Sequence, residues 1–200
     1  MIQCHTWSAN DAFACLNWIT LLSLQVTIEF PYVFIQTLIY SAIFYFMASF
    51  EWNIWKFVWY IYFMYFTLLY FTLFGMMTTS VSPNHNIAAI LAAPFYMMWN
   101  LFSGFMISRM RIPIYWRWYY WANPVAWSLY GLLTSQYGEV NEHLTLADGV
   151  HTVSIKRFIK EQFGYRQEFL GTAGVAVIGF CIIFAVTFAF AIKFFNFQRR

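Results

Sequence analysis

Long apolar runs separated by short polar breaks divide this chain. From Phe57 to Ser108 there are 52 residues without Asp, Glu, Lys or Arg. Two bilayer crossings need about 40 apolar residues, at ~20 each, so this region predicts one span over about 57–79 and a second over about 87–107. The break between them, Ser80-Val81-Ser82-Pro83-Asn84-His85-Asn86, has the small polar residues and proline of a turn. An earlier span is expected over about 31–50, with Pro31 in its first turn, where a missing N–H is harmless. Glu29 then lies at the membrane boundary, facing the positive helix end, and Glu51-Trp52-Asn53 closes the span. A further span over about 170–192 stops at Lys193, with Arg199-Arg200 behind it.

The remaining segments are flanks. Residues 1–24 form a mixed, divergent N-terminal segment, and its apolar run Trp18–Leu24 is too short to span. Residues 25–200 read as one membrane domain. The segment 109–169 opens with four tryptophans and three tyrosines between Ile114 and Trp127. Such side chains prefer the headgroup level, which predicts helices lying in or dipping into the interface and broken at Pro124. Farther on, Ser154 to Gly164 reads as a short amphipathic helix capped by Ser154. Its apolar face is Ile155, Phe158, Ile159 and Phe163, and Gly164 ends it.

Composition agrees with a membrane protein. Hydrophobic residues are 62% and charged residues 10% of the chain, against about 25% charged in soluble domains. A net charge of +3 without a basic block gives no case for nucleic acid. Cys4, Cys15 and Cys181 fit neither a metal spacing nor a disulfide framework. No signal-peptide pattern opens the sequence. Ala88 with Ala92, Ala89 with Ala93, and Ala185 with Ala189 lie at the interval that lets helices approach closely in lipid.

Catalytic motifs are sparse. There is no G-x-x-x-x-G-K-[ST] phosphate loop, so ATP is not bound by that route, and neither H-E-x-x-H nor G-x-S-x-G occurs. His143 and Asp148 have the H-x4-D spacing of some glycerolipid acyltransferases, and such a pair could act as a general base. Chance also produces this spacing. Asn100 in the third run could hydrogen-bond a ligand or a neighbouring helix; Gln36 poses the same choice. His85 reads as a solvated turn residue.

Several strings together resemble one family. They are Glu29-Phe30-Pro31-Tyr32, Met64-Tyr65-Phe66-Thr67-Leu68-Leu69-Tyr70, Pro83-Asn84-His85, Trp99-Asn100-Leu101-Phe102-Ser103-Gly104-Phe105, Arg111-Ile112-Pro113, the run Trp116–Trp127 and Phe194–Arg200. In this order the chain resembles the C-terminal part of a plant pleiotropic-drug-resistance ABC transporter of the G subfamily. The resemblance implies an all-α membrane protein: four transmembrane helices of an ABC-2 type exporter domain, with a helical, aromatic-rich extracellular loop over 109–169. It implies a fragment whose ATPase domains, with their ATP and Mg²⁺, lie outside this chain, and which itself is no enzyme.

The implied partners are lipid, a lipophilic or amphipathic small molecule, and the other transporter half or ATPase domains, in a plasma membrane. The resemblance maps a substrate path onto Ile90, Ala93, Met97 and Asn100, and an outer plug onto Phe105 and Met106. It puts both termini in the cytoplasm, although seven of the eleven Lys and Arg lie in 109–169. A truncated, non-transporting partner of intact transporters and a membrane-bound acyltransferase using His143 and Asp148 are the alternatives.

Overall fold

The computed structural model describes residues 9–48, 53–138, 143–145, 152–154, 157, 159, 163–164 and 169–195. The helices whose bounds are described are α1 (Ala9–Met47), α2 (Ile54–Val81), α3 (His85–Leu101), α4 (Arg117–Ala122), α5 (Pro124–Tyr137) and α6 (Leu170–Phe195). Two single 3-10 turns, Arg109–Arg111 and Ile114–Trp116, join α3 to α4. A short antiparallel pair, β1 (His143–Thr145) and β2 (Thr152–Ser154), sets His143 opposite Ser154.

Helix α2 is the axis of the bundle. Asn53 caps it by accepting the Trp55 N–H at 3.1 Å, satisfying one of the open donors of a first turn. Its buried residues Tyr60, Phe63, Leu69, Tyr70, Leu73 and Phe74 point to several sides, because α1, α3, α5 and α6 all pack on it. Helix α1 runs antiparallel to it: Phe34 meets Tyr65, while Tyr45 meets Phe57. Helix α6 runs parallel to it, with Tyr62 donating to the Gly174 carbonyl at 3.1 Å and Phe184 against Phe74 farther along.

Something must therefore carry the chain back between α2 and α6, and here the expected architecture is corrected. Among the described residues three helices, not four, are long and apolar enough to cross a membrane: Leu24–Met47, Ile54–Val81 and Leu170–Ile192. The expected span over 87–107 is a helix of 17 residues, about 25 Å at 1.5 Å per residue, short of a ~30 Å hydrocarbon core. It stops at Leu101. Phe102 N–H bonds the Met98 carbonyl at 3.1 Å and Ser103 Oγ donates to the Asn100 carbonyl at 2.8 Å. Gly104 then turns the chain at φ 95°, where an L side chain is strained.

The return path is completed by α5. Its residues meet α2 in reverse order: Ser128 at Tyr70, Gly131 at Phe63 and Gln136 at Lys56. So α3 climbs part of the way, the chain unwinds and folds, and α5 finishes the journey.

Local readings are corrected too. Pro31 lies inside α1 rather than at its start; a proline within a membrane helix is tolerated where the freed backbone groups find other partners. The expected break at Pro124 is present, with α4 ending at Ala122 and α5 opening on Pro124 at its first position. Ser154 ends β2, and Ile155 and Phe158 of the expected amphipathic helix lie outside the described residues. Beyond it, Phe163 N–H bonds the Ile159 carbonyl at 3.0 Å and Gly164 turns at φ 71°.

Lipid removes the hydrophobic drive between helices, so close packing takes its place. Buried Ala173, Val177 and Cys181 join the core around α2, and Gly174 lets Tyr62 approach to 3.3 Å of where a Cβ would lie. Of the alanine pairs, Ala88 and Ala92 are buried, whereas Ala89, Ala93 and Ala189 are exposed.

At Gly131, a Cβ would collide with the ring of the fully buried Phe63. Gly131→Val is expected to destabilise the chain by about 1–3 kcal/mol through overpacking, read as a lower thermal midpoint in detergent micelles. Gly171→Ala, where nothing lies within 4 Å of the new Cβ, serves as the unaffected comparison.

Candidate functional site

The site is an open face of α3 and the folded segment that follows it. Ala88, Ala92 and Trp99 anchor the opposite side of the helix. Trp99 packs on Phe74 at 4.6 Å and on Phe184 at 5.8 Å between ring centroids, which fixes the rotation of α3 about its axis. That rotation turns Ile90, Ala93, Met97 and Asn100 outward together, with Ile90 71% and Met97 76% exposed. Spacings of 3, 4 and 3 residues place them on one helical stripe.

Asn100 is the polar member of this stripe. Its Nδ2 donates to the Tyr96 carbonyl at 2.8 Å within the same helix, so it makes no bond to a neighbouring helix among the described residues. The amide is thereby oriented with Oδ1 available as an acceptor. Phe105 and Met106 are exposed as well, but they sit beyond Gly104 in the unwound segment, off the helical stripe. Glu29 is half-buried within α1, inside the apolar stretch Leu24–Met47, and Gln36 is exposed on the same helix. His85 is exposed at the start of α3. His143 lies in β1, and Asp148 lies outside the described residues.

What holds the site in shape is a residue that spacing and hydropathy pass over. Asn123 is completely buried. Its Nδ2 donates to the Trp99 carbonyl at 2.7 Å, and its Oδ1 accepts the Val125 N–H at 3.0 Å. One side chain thus satisfies an open carbonyl of α3 and an open donor of α5. The Asn-Pro pair at a helix start is a readable signal, but the partner on α3 is not. Next to it, Tyr70 and Ser128 share a buried hydrogen bond of 3.1 Å between α2 and α5.

Outside the spans, Ile112, Tyr120 and Ala126 form a small core with Phe102 and Ile107 packed on it. Trp116 stacks on Phe102 at 5.6 Å, and burial pushes the neighbouring Tyr119 phenol up. Among the described residues no group of His, Cys, Asp and Glu could hold a metal. The arrangement offers an apolar surface with one oriented amide and, among the described residues, no nucleophile–base pair.

Comparison with known proteins gives consistent matches. A family model described as ABC-2 type transporter matches residues 12–137. The chain is 61% identical over 176 residues to ABC transporter G family member 32 of Arabidopsis thaliana, covering 88% of this chain and 12% of that protein. It is 62% identical over 175 residues to ABC transporter G family member 31 of Oryza sativa subsp. japonica, with the same coverage. Pleiotropic drug resistance protein 1 of Nicotiana tabacum is 52% identical over 176 residues, again with 12% of its length covered. The chain therefore spans about an eighth of the length of the curated relatives it matches.

Asn123→Ala leaves a buried carbonyl unpaired and removes a cap, so a loss of about 1–3 kcal/mol is expected. Tyr70→Phe removes one interhelical bond, and about 0.6 kcal/mol is expected. Unfolding in mixed micelles by a denaturing detergent, compared between the two variants, reads the ranking.

Proposed function

The chain belongs to the ABC-2 type transporter family, in its plant G-subfamily, pleiotropic-drug-resistance branch, and we propose that it forms part of a path by which lipophilic or amphipathic small molecules cross a membrane. It is a multi-pass integral membrane chain. ATP and Mg²⁺ belong, in this reading, to ATPase domains outside this chain, which has no phosphate-loop motif of its own. The other transporter half and those domains are its partners, and a plasma membrane is its location.

One observation carries the reading. Ile90, Ala93, Met97 and the Asn100 amide share an open stripe on a helix whose other side is locked to α2. Ligand sites are mostly apolar, with a few placed polar groups that set orientation. Such a stripe suits a greasy molecule carrying one donor for Asn100 Oδ1. Phe105 and Met106, past the end of the helix, supply bulk for a constriction at the outer end of the path.

The test restores a whole transporter from two parts. This chain is co-expressed with a full-length relative lacking the matching last eighth, and ATP-dependent efflux of a lipophilic dye is followed in membrane vesicles. Efflux is expected only when both parts are present. Met97→Trp is expected to lower the rate about tenfold, equivalent to ~1.4 kcal/mol. Ile35→Trp, on the exposed side of α1, leaves the rate unchanged. If both substitutions act alike, or the co-purified parts move no dye, the proposal fails.

A further inference from the structure

The turn between α3 and α4 carries Arg109, Arg111 and Arg117 within nine residues, and no Asp or Glu occurs between Glu51 and Glu139. Among the described residues, none of the three forms an ion pair. The turn that carries Arg109 and Arg111 is nevertheless held in place. Ile112, only 3% exposed, pins the turn between Arg109 and Arg111. Arg109 lies over the Trp121 ring at 4.6 Å, a contact that uses the charge and none of the N–H donors. Arg111 and Arg117 are exposed, as are Ile114, Tyr115 and Trp118 beside them.

Cations next to apolar spans need a counter-charge. We propose that this cuff binds a phospholipid of net negative headgroup, its phosphate held by the three guanidiniums and its upper acyl chains against Ile114, Tyr115 and Trp118. A guanidinium matches phosphate oxygens in a bidentate manner. Indole and phenol rings sit at the depth where headgroup meets hydrocarbon, so the rim and the cations select the same molecule. The cuff lies beside the foot of α5, held by the same core that Ile112, Tyr120 and Ala126 build. A lipid seated there would cover the fold in the return path. The proposal does not depend on transport.

Native mass spectrometry of the full chain in neutral detergent tests it, with phosphatidylglycerol and phosphatidylcholine of identical acyl chains as probes. Phosphatidylglycerol is expected to stay bound preferentially. Replacing Arg109, Arg111 and Arg117 together by Gln is expected to weaken it about a hundredfold, and Arg111→Gln alone about fivefold. Replacing Lys193, Arg199 and Arg200 by Gln removes the same formal charge elsewhere and leaves binding unchanged. The single variant, at an exposed position, decides the matter should the triple variant lose helicity. Equal retention of the two lipids, equal loss in both triple variants, or displacement of phosphatidylglycerol by inorganic phosphate would overturn the assignment.

Discussion

Two hydrogen bonds from one amide, Asn123 to the Trp99 carbonyl and from the Val125 N–H, hold together the most exacting part of this fold. An unbroken helix needs no such device, because its backbone groups are satisfied internally. A return path cut into α3 and α5 creates two helix ends inside the bundle, each with open backbone groups. At the α3 end, Phe102 N–H, Ser103 Oγ and Asn123 Nδ2 take up the Met98, Asn100 and Trp99 carbonyls. At the α5 end, Pro124 has no N–H to satisfy and Asn123 accepts the next one. The junction is closed by sequence-local chemistry plus a single long-range bond.

The division of surfaces follows from that junction. With α5 seated against α2 and α6, the large residues of α2 are enclosed, and Trp99 fixes which side of α3 faces inward. The outward stripe, Ile90 through Asn100, is what remains. Its exposure is thus a consequence of how the interior is filled. A helix that crossed the whole bilayer alone would need no α5 packed beside α2, and its rotation would be set by different neighbours.

Much of this architecture is legible in the sequence. The charge-free run from Phe57 to Ser108 and the polar turn at Ser82–Asn84 give α2 and the start of α3, and the family strings identify the domain. The end of α3 is not legible from hydropathy, since Phe102, Phe105, Met106 and Ile107 continue the apolar pattern through the turn at Gly104. Of the two prolines, Pro31 sits within a helix where an entry is expected, whereas Pro124 parts α4 from α5 where a break is expected. The first outcome depends on what packs around it. The stripe on α3 is visible as a spacing, but which side faces out depends on Trp99 meeting Phe74 and Phe184, contacts between residues far apart in the chain. Asn123 shows the same limit, since its cap can be read and its tie to Trp99 cannot.

Amide hydrogen exchange of the full chain in lipid nanodiscs tests the divided return path most directly. Residues 128–136 of α5 should exchange as slowly as the middle of α2, and Asn123→Ala should speed exchange in α5 and in the last turn of α3 while leaving α1 and α6 unchanged. Rapid exchange of α5 in the unaltered chain, at the rate of a surface loop, would contradict the account.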